Sequence, residues 1–121
     1  MKKALLIATM SLMPFLASSA SAADAAFDGF WVKFKDALIK NDKEAIASMT
    51  RLPYLLNEKK LDRKAFIAQS DKIFTPKTRK CLIKQKPVKD QTYYSAFCGD
   101  EIFCFEKVNG TYLFTEIGVN D

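Results

Sequence analysis

Large apolar side chains recur at three- and four-residue spacing at Phe27, Phe30, Trp31, Phe34 and Leu38. That spacing puts them on one stripe of an amphipathic helix over 25–40, with Lys33, Lys35, Asp36 and Lys40 mostly off the stripe and Asp24 as its cap. Asn41-Asp42 breaks the pattern and caps a short second helix over 43–49, with Ala45, Ile46 and Met49 turned inward. Pro53 makes 51–56 an edge strand or an extended connector. Asp62 caps a third helix that runs through Ile73, with Phe66, Ile67, Ser70, Ile73 and Phe74 inward, and Thr75-Pro76 ends it.

Beyond Pro76 the period changes to two. Four strands are expected, over 79–86, 92–98, 101–108 and 111–117. Asn109-Gly110, between alternating apolar arms, is a strong hairpin signal because both residues tolerate positive φ. It also outranks the glycosylation sequon that Asn109-Gly110-Thr111 happens to spell. The expected fold class is therefore α+β, with N-terminal helices packed on a curved antiparallel sheet in the order α-α-β-α-β-β-β-β.

The turns set a register. Two-residue loops at Asn109-Gly110 and Gly99-Asp100 put Phe105 opposite Phe114 and Phe97 opposite Ile102. If Lys89-Asp90 is a third such loop, Cys81 lies across from Cys98. A cross-strand Cys81–Cys98 disulfide is thus predicted, with Cys104 a free thiol on the other face, opposite Ser95. One sheet face then carries Ile83, Tyr94, Ala96, Phe103, Phe105, Tyr112 and Phe114. The other carries Leu82, Tyr93, Phe97, Ile102, Leu113 and Ile117. Both are more apolar than a water-facing sheet. The sharper expectation is that the face bearing Tyr94, Phe103, Phe105, Tyr112 and Phe114 binds a partner or lines a pocket.

The N-terminus adds an address. Lys2 and Lys3 precede an apolar run over 4–17, and small residues follow, with Ala20-Ser21-Ala22 as a cleavage motif. That order is a secretory signal peptide over 1–22, leaving one domain over 23–121 in the periplasm or outside the cell. The apolar run is too short for a stable membrane anchor. Cleavage lowers the basic count from 19 to 17 against 14 acids, a mature net charge of +3. So mild a charge gives no reason to expect a nucleic-acid partner. Seven basic residues and no acid fall in 72–89, and six acids with only Lys107 fall in 90–121. Neighbouring strands that neutralise each other explain this most simply. A basic patch for an acidic partner or a membrane surface ranks below.

The chain has no histidine, which removes Ser-His-Asp and Cys-His catalysis and the usual zinc hydrolase motifs. No metal, cofactor or catalytic residue is expected. Three cysteines without Cys-x-x-Cys spacing fit one structural disulfide in an oxidising compartment better than a redox motif.

The motif Phe30-Trp31-x-x-Phe34-x-x-Ala37-Leu38, followed by Asn41-Asp42-Lys43-Glu44-Ala45-Ile46-Ala47, resembles the opening of nuclear transport factor 2-like (cystatin-like α+β) domains. The resemblance implies that fold, and either a pocket isomerase or dehydratase or a non-catalytic binding or dimerising module. Those enzymes use Asp, Tyr and His, and no catalytic residue carries over here. The leading expectation is an exported, non-enzymatic binding module for a protein partner or small apolar ligand. An inhibitor or immunity-type role and a homodimer are included in that expectation. The alternative is a pocket enzyme using a carboxylate with Tyr54, Tyr93, Tyr94 or Tyr112.

Overall fold

The computed structural model describes residues 18–120, with side chains from residue 25 onward. The signal-peptide segment therefore falls almost wholly outside the described residues. Helix α1 spans Ser18–Lys40, α2 Lys43–Ser48, α3 Arg63–Ile73 and α4 Pro76–Leu82. The strands are β1 (Tyr54–Leu56), β2 (Lys59–Leu61), β3 (Val88–Asp90), β4 (Tyr93–Cys98), β5 (Glu101–Val108) and β6 (Thr111–Val119). The fold is α+β: β1 and β2 form a hairpin, and β3-β4-β5-β6 form an antiparallel sheet in chain order.

Helix α1 starts before Asp24, so Asp24 is not its cap. The Ala- and Ser-rich stretch ahead of it supplies helix formers, and nothing there stops the helix. The two other expected caps are present. Asp42 Oδ1 accepts from the Ala45 amide at 3.1 Å, and Asp62 Oδ1 from the Ala65 amide at 2.8 Å. Each satisfies one amide that the first helical turn leaves unpaired.

The segment 79–86 is not a strand. Thr75 caps α4, accepting from the Thr78 amide at 3.1 Å, and Pro76 sits in its first turn. Thr-Pro therefore both ends α3 and starts α4, because proline's missing amide costs nothing at the first helical position. Arg79, Lys80 and Leu82 are good helix formers, and Leu82 is fully buried. The basic stretch is thus largely helix and turn rather than a strand beside the acidic ones. Arg79 lies 3.8 Å from Asp71 of α3 and donates to the Phe74 carbonyl at 2.7 Å.

The strand that precedes β4 is the short β3. It pairs Val88 with Ser95 and Asp90 with Tyr93, so the turn is Gln91-Thr92 rather than Lys89-Asp90. The turns at Gly99-Asp100 and Asn109-Gly110 are as expected, with Phe97 opposite Ile102 and Phe105 opposite Phe114. Gly99, Asn109 and Gly110 all have positive φ.

β6 carries a bulge. Phe105 pairs with Phe114 but Cys104 pairs with Glu116, so Thr115 is an extra residue. An inserted residue reverses the facing of everything beyond it. Ile117, expected on the outer face, therefore lies opposite Phe103 and packs against the core.

The core lies between the inner sheet face and the helices. Phe34, Phe66, Phe74, Phe103, Phe105 and Phe114 are fully buried. Phe27 of α1 stacks on Tyr94, and Phe34 meets Phe105 edge-on at 5.3 Å. Cys81 in α4 is bonded to Cys98 at the end of β4, tying helix to sheet.

Candidate functional site

The five residues expected to bind, Tyr94, Phe103, Phe105, Tyr112 and Phe114, all belong to this core, none more than 8% exposed. The structure does bring them together, as one aromatic layer, but α1 and Phe74 at the end of α3 cover them. Their place in the sheet followed from alternation. Which face the helices choose does not.

The opposite face is open. Alternation from the buried Tyr94 and Ala96 puts Tyr93, Ser95 and Phe97 of β4 on it, with Ile102, Cys104, Glu106 and Val108 of β5 and Leu113 of β6. Val88 and Asp90 join through their pairing with Ser95 and Tyr93. The aromatic rings of α1 and the end of α3 that pack on the sheet, Phe27, Phe30, Trp31, Phe34 and Phe74, meet the other face. Phe97 is 44% exposed and Val88 57%, Tyr93, Ile102, Val108 and Leu113 are half-buried, and Ser95 and Thr115 are buried. The charged groups here are all acidic: Asp90, Glu106 and Glu116.

The polar groups of this face are tied to each other. The Tyr93 hydroxyl donates to Asp90 at 3.1 Å, which pushes its pKa up. The Thr115 hydroxyl lies 2.7 Å from Glu106 Oε2 and 3.3 Å from the Cys104 carbonyl. The expected free thiol, Cys104, sits near the centre, opposite Ser95 and Glu116. Partial burial pushes its pKa up, and the carboxylates of Glu116 and Glu106 add to that. A thiol so placed is held protonated, and a protonated thiol is a poor nucleophile.

A second feature lies at the β6 edge. A groove of about 480 Å³ runs between the β1 segment and the end of β6, lined by Arg51, Tyr54, Leu55, Glu116, Ile117 and Val119 among others. Tyr54 closes its inner end, with its ring 5.4 Å from both Phe66 and Phe114. Burial, and the nearby charges of Glu101, Glu116 and Cys104, push the Tyr54 hydroxyl up to about 12. It can donate a hydrogen bond at neutral pH but cannot serve there as a base. An acid–base pair would also need a carboxylate shielded from water, and Glu101 and Glu116 are exposed.

The strand expected over 51–56 is β1, but β2, which pairs with it to form the hairpin walling this groove, has no counterpart in the expected element order. The hairpin's turn is Asn57-Glu58, both with positive φ, and Asn after an apolar pair was the available signal. Among the described residues, no group of three or more His, Cys, Asp or Glu side chains is placed to hold a metal, and no helix is long and apolar enough to cross a membrane. Comparison with protein families, with curated proteins and with solved structures finds no match to this chain.

Proposed function

We propose that the chain is an exported binding module that holds a protein partner on the outer face of its four-stranded sheet. One observation carries this reading. A sheet face that stays in water should alternate apolar-in with polar-out, yet this one presents Val88, Tyr93, Phe97, Ile102, Val108 and Leu113 together. An open apolar face beside a filled core is the arrangement of a surface used for association rather than of a substrate cavity.

Export is part of the proposal. It rests on the leader pattern over 1–22, and the Cys81–Cys98 disulfide is in keeping with an oxidising compartment. The likeness to nuclear transport factor 2-like domains is in keeping with the element order and with a non-catalytic module. An inhibitor or immunity-type role is the narrower form of the same reading.

Cys104 gives a direct test, because it lies inside the proposed surface. A photo-crosslinker attached to its thiol should capture a discrete partner from a cell-envelope extract. Phe97→Asp should abolish that adduct while leaving the circular dichroism spectrum unchanged. The same adduct from wild type and Phe97→Asp, or none from either, would remove the face from consideration.

A further inference from the structure

β6 is an edge strand whose backbone is only partly paired. On one side it bonds to β5. On the other, β1 approaches it through the Tyr54 ring against Phe114, but among the described residues the backbone bonds come from the chain around Thr50: the Phe114 amide donates to the Met49 carbonyl and the Arg51 amide to the Phe114 carbonyl, both at 2.8 Å. Antiparallel pairing alternates which residues turn their amide and carbonyl toward a given neighbour. The two-residue turn at Asn109-Gly110 makes Val108 and Thr111 a mutually bonded pair, so Phe114 turns outward, in agreement with its bonds to Met49 and Arg51. The Thr115 bulge shifts the count. Beyond it, the Asn120 amide donates to the Asp100 carbonyl at 2.7 Å, which fixes the phase again. Glu116 and Gly118 therefore turn to β5, and Ile117 and Val119 turn their amides and carbonyls outward.

They turn toward the groove. On its far wall, the Asn57-Glu58 turn makes Leu56 and Lys59 a bonded pair, so Leu55 turns its own amide and carbonyl away from β2. The walls are also greasy at the rim: Val119 is 71% exposed and Leu55 62%. Edge strands are usually blunted by charged residues, proline, a bulge or further pairing. Past the Thr115 bulge and Glu116, the residues Ile117, Gly118 and Val119 carry none of these.

We propose that the groove receives an extended polypeptide segment of a partner, which adds as a further strand to the free edge of β6. Main-chain bonds to Ile117 and Val119 would supply affinity, and side chains of alternating character would supply specificity. Residues level with Ile117 and Val119 point to the apolar side, against Ile117 and Leu55. Residues level with Glu116 and Gly118 point to the acidic outer face, where glycine leaves room for a long side chain. The segment chosen by this edge alternates apolar and basic residues. This inference does not depend on the outer-face reading.

The probe is a short capped peptide of alternating Val and Lys, followed by fluorescence anisotropy against the full chain. Saturable binding is expected, with slowed amide exchange at Ile117 and Val119. A proline at the central Val of the peptide should weaken binding at least about tenfold, because it removes a ladder donor. Val119→Pro should do the same, since it deletes an outward amide without touching the β5 ladder, whereas Val119→Thr should bind normally. Glu116→Lys should favour a Val–Glu peptide over the Val–Lys one, a readout that does not depend on tolerance of proline. Phe97→Asp should leave peptide binding unchanged, which separates failure here from failure of the outer-face proposal. Equal binding of the proline-interrupted peptide, no binding of any peptide, or a dimer formed through β6 that excludes them would overturn the proposal.

Discussion

Cys81 in α4 and Cys98 at the end of β4 are joined, although one belongs to a helix and the other to a strand. The link spans 17 positions and fastens α4 to the sheet. Closing a loop of that size restricts the unfolded chain by about 3 kcal/mol. Replacing both cysteines with serine should lower the unfolding free energy by about that amount in urea titrations. Alkylation of the folded, non-reduced protein should label Cys104 alone, and a labelled Cys81 or Cys98 would contradict the link.

Cys104 should react slowly. Burial first, then the Glu116 and Glu106 carboxylates, push its pKa up, so less thiolate is present at neutral pH than for an unhindered cysteine. Iodoacetamide should modify it more slowly than it modifies free cysteine at pH 7. Glu116→Gln should speed the reaction by removing one repulsive charge. No change in that variant would mean that burial acts alone.

Tyr54 ties part of the alkaline stability to its buried hydroxyl. Its pKa rises from 10.0, the value of an unhindered tyrosine, to about 12 in the fold. The folded state binds this proton more tightly than the unfolded state does. Its contribution is therefore complete below pH 10 and lost as pH climbs toward about 12. Denaturant midpoints should fall across that window in the wild type, and less steeply in Tyr54→Phe. Ultraviolet titration should show a tyrosine ionising toward about pH 12 that is missing in Tyr54→Phe.

Phe105 is the hub of the aromatic core. It is fully buried and lies 5.3 Å from both Trp31 and Phe34, each edge-on. Phe105→Ala should cost about 3–5 kcal/mol, because rings held from both the sheet and α1 cannot collapse onto the vacancy. Phe97→Ala, on the open face, should cost well under half of that. Comparable losses at the two positions would mean that the outer face is packed, and would count against it as a docking surface.

The five residues expected to bind show where legibility stops. Tyr94, Phe103, Phe105, Tyr112 and Phe114 share one sheet face because strand alternation and the Gly99-Asp100 and Asn109-Gly110 turns are local, and local chemistry is written in the chain. Which apolar face the helices bury is a competition between two surfaces. The chosen one carries the aromatic rings that interlock with Phe27, Phe30, Trp31 and Phe34.

Legible in the chain alone were the amphipathic stripe of α1, the Asp42 and Asp62 caps, the two tight turns of the main sheet and the identity of the bonded cysteines. Each except the last depends on residues within a turn or two of one another. The disulfide pair was identified through a register that does not exist, since α4 brings Cys81 to Cys98 by packing on the sheet. The helix over 76–82 was also written locally, in the Thr75 cap and Pro76 of its first turn, although the reading as a strand missed it. Two features came from the folded arrangement instead: Thr115 bulges and turns Ile117 inward, and β1 stands off from the end of β6 to leave a groove. These follow from long-range packing of Ile117 and Tyr54 into one core, where burial of large side chains outweighs the weak local preference of the backbone.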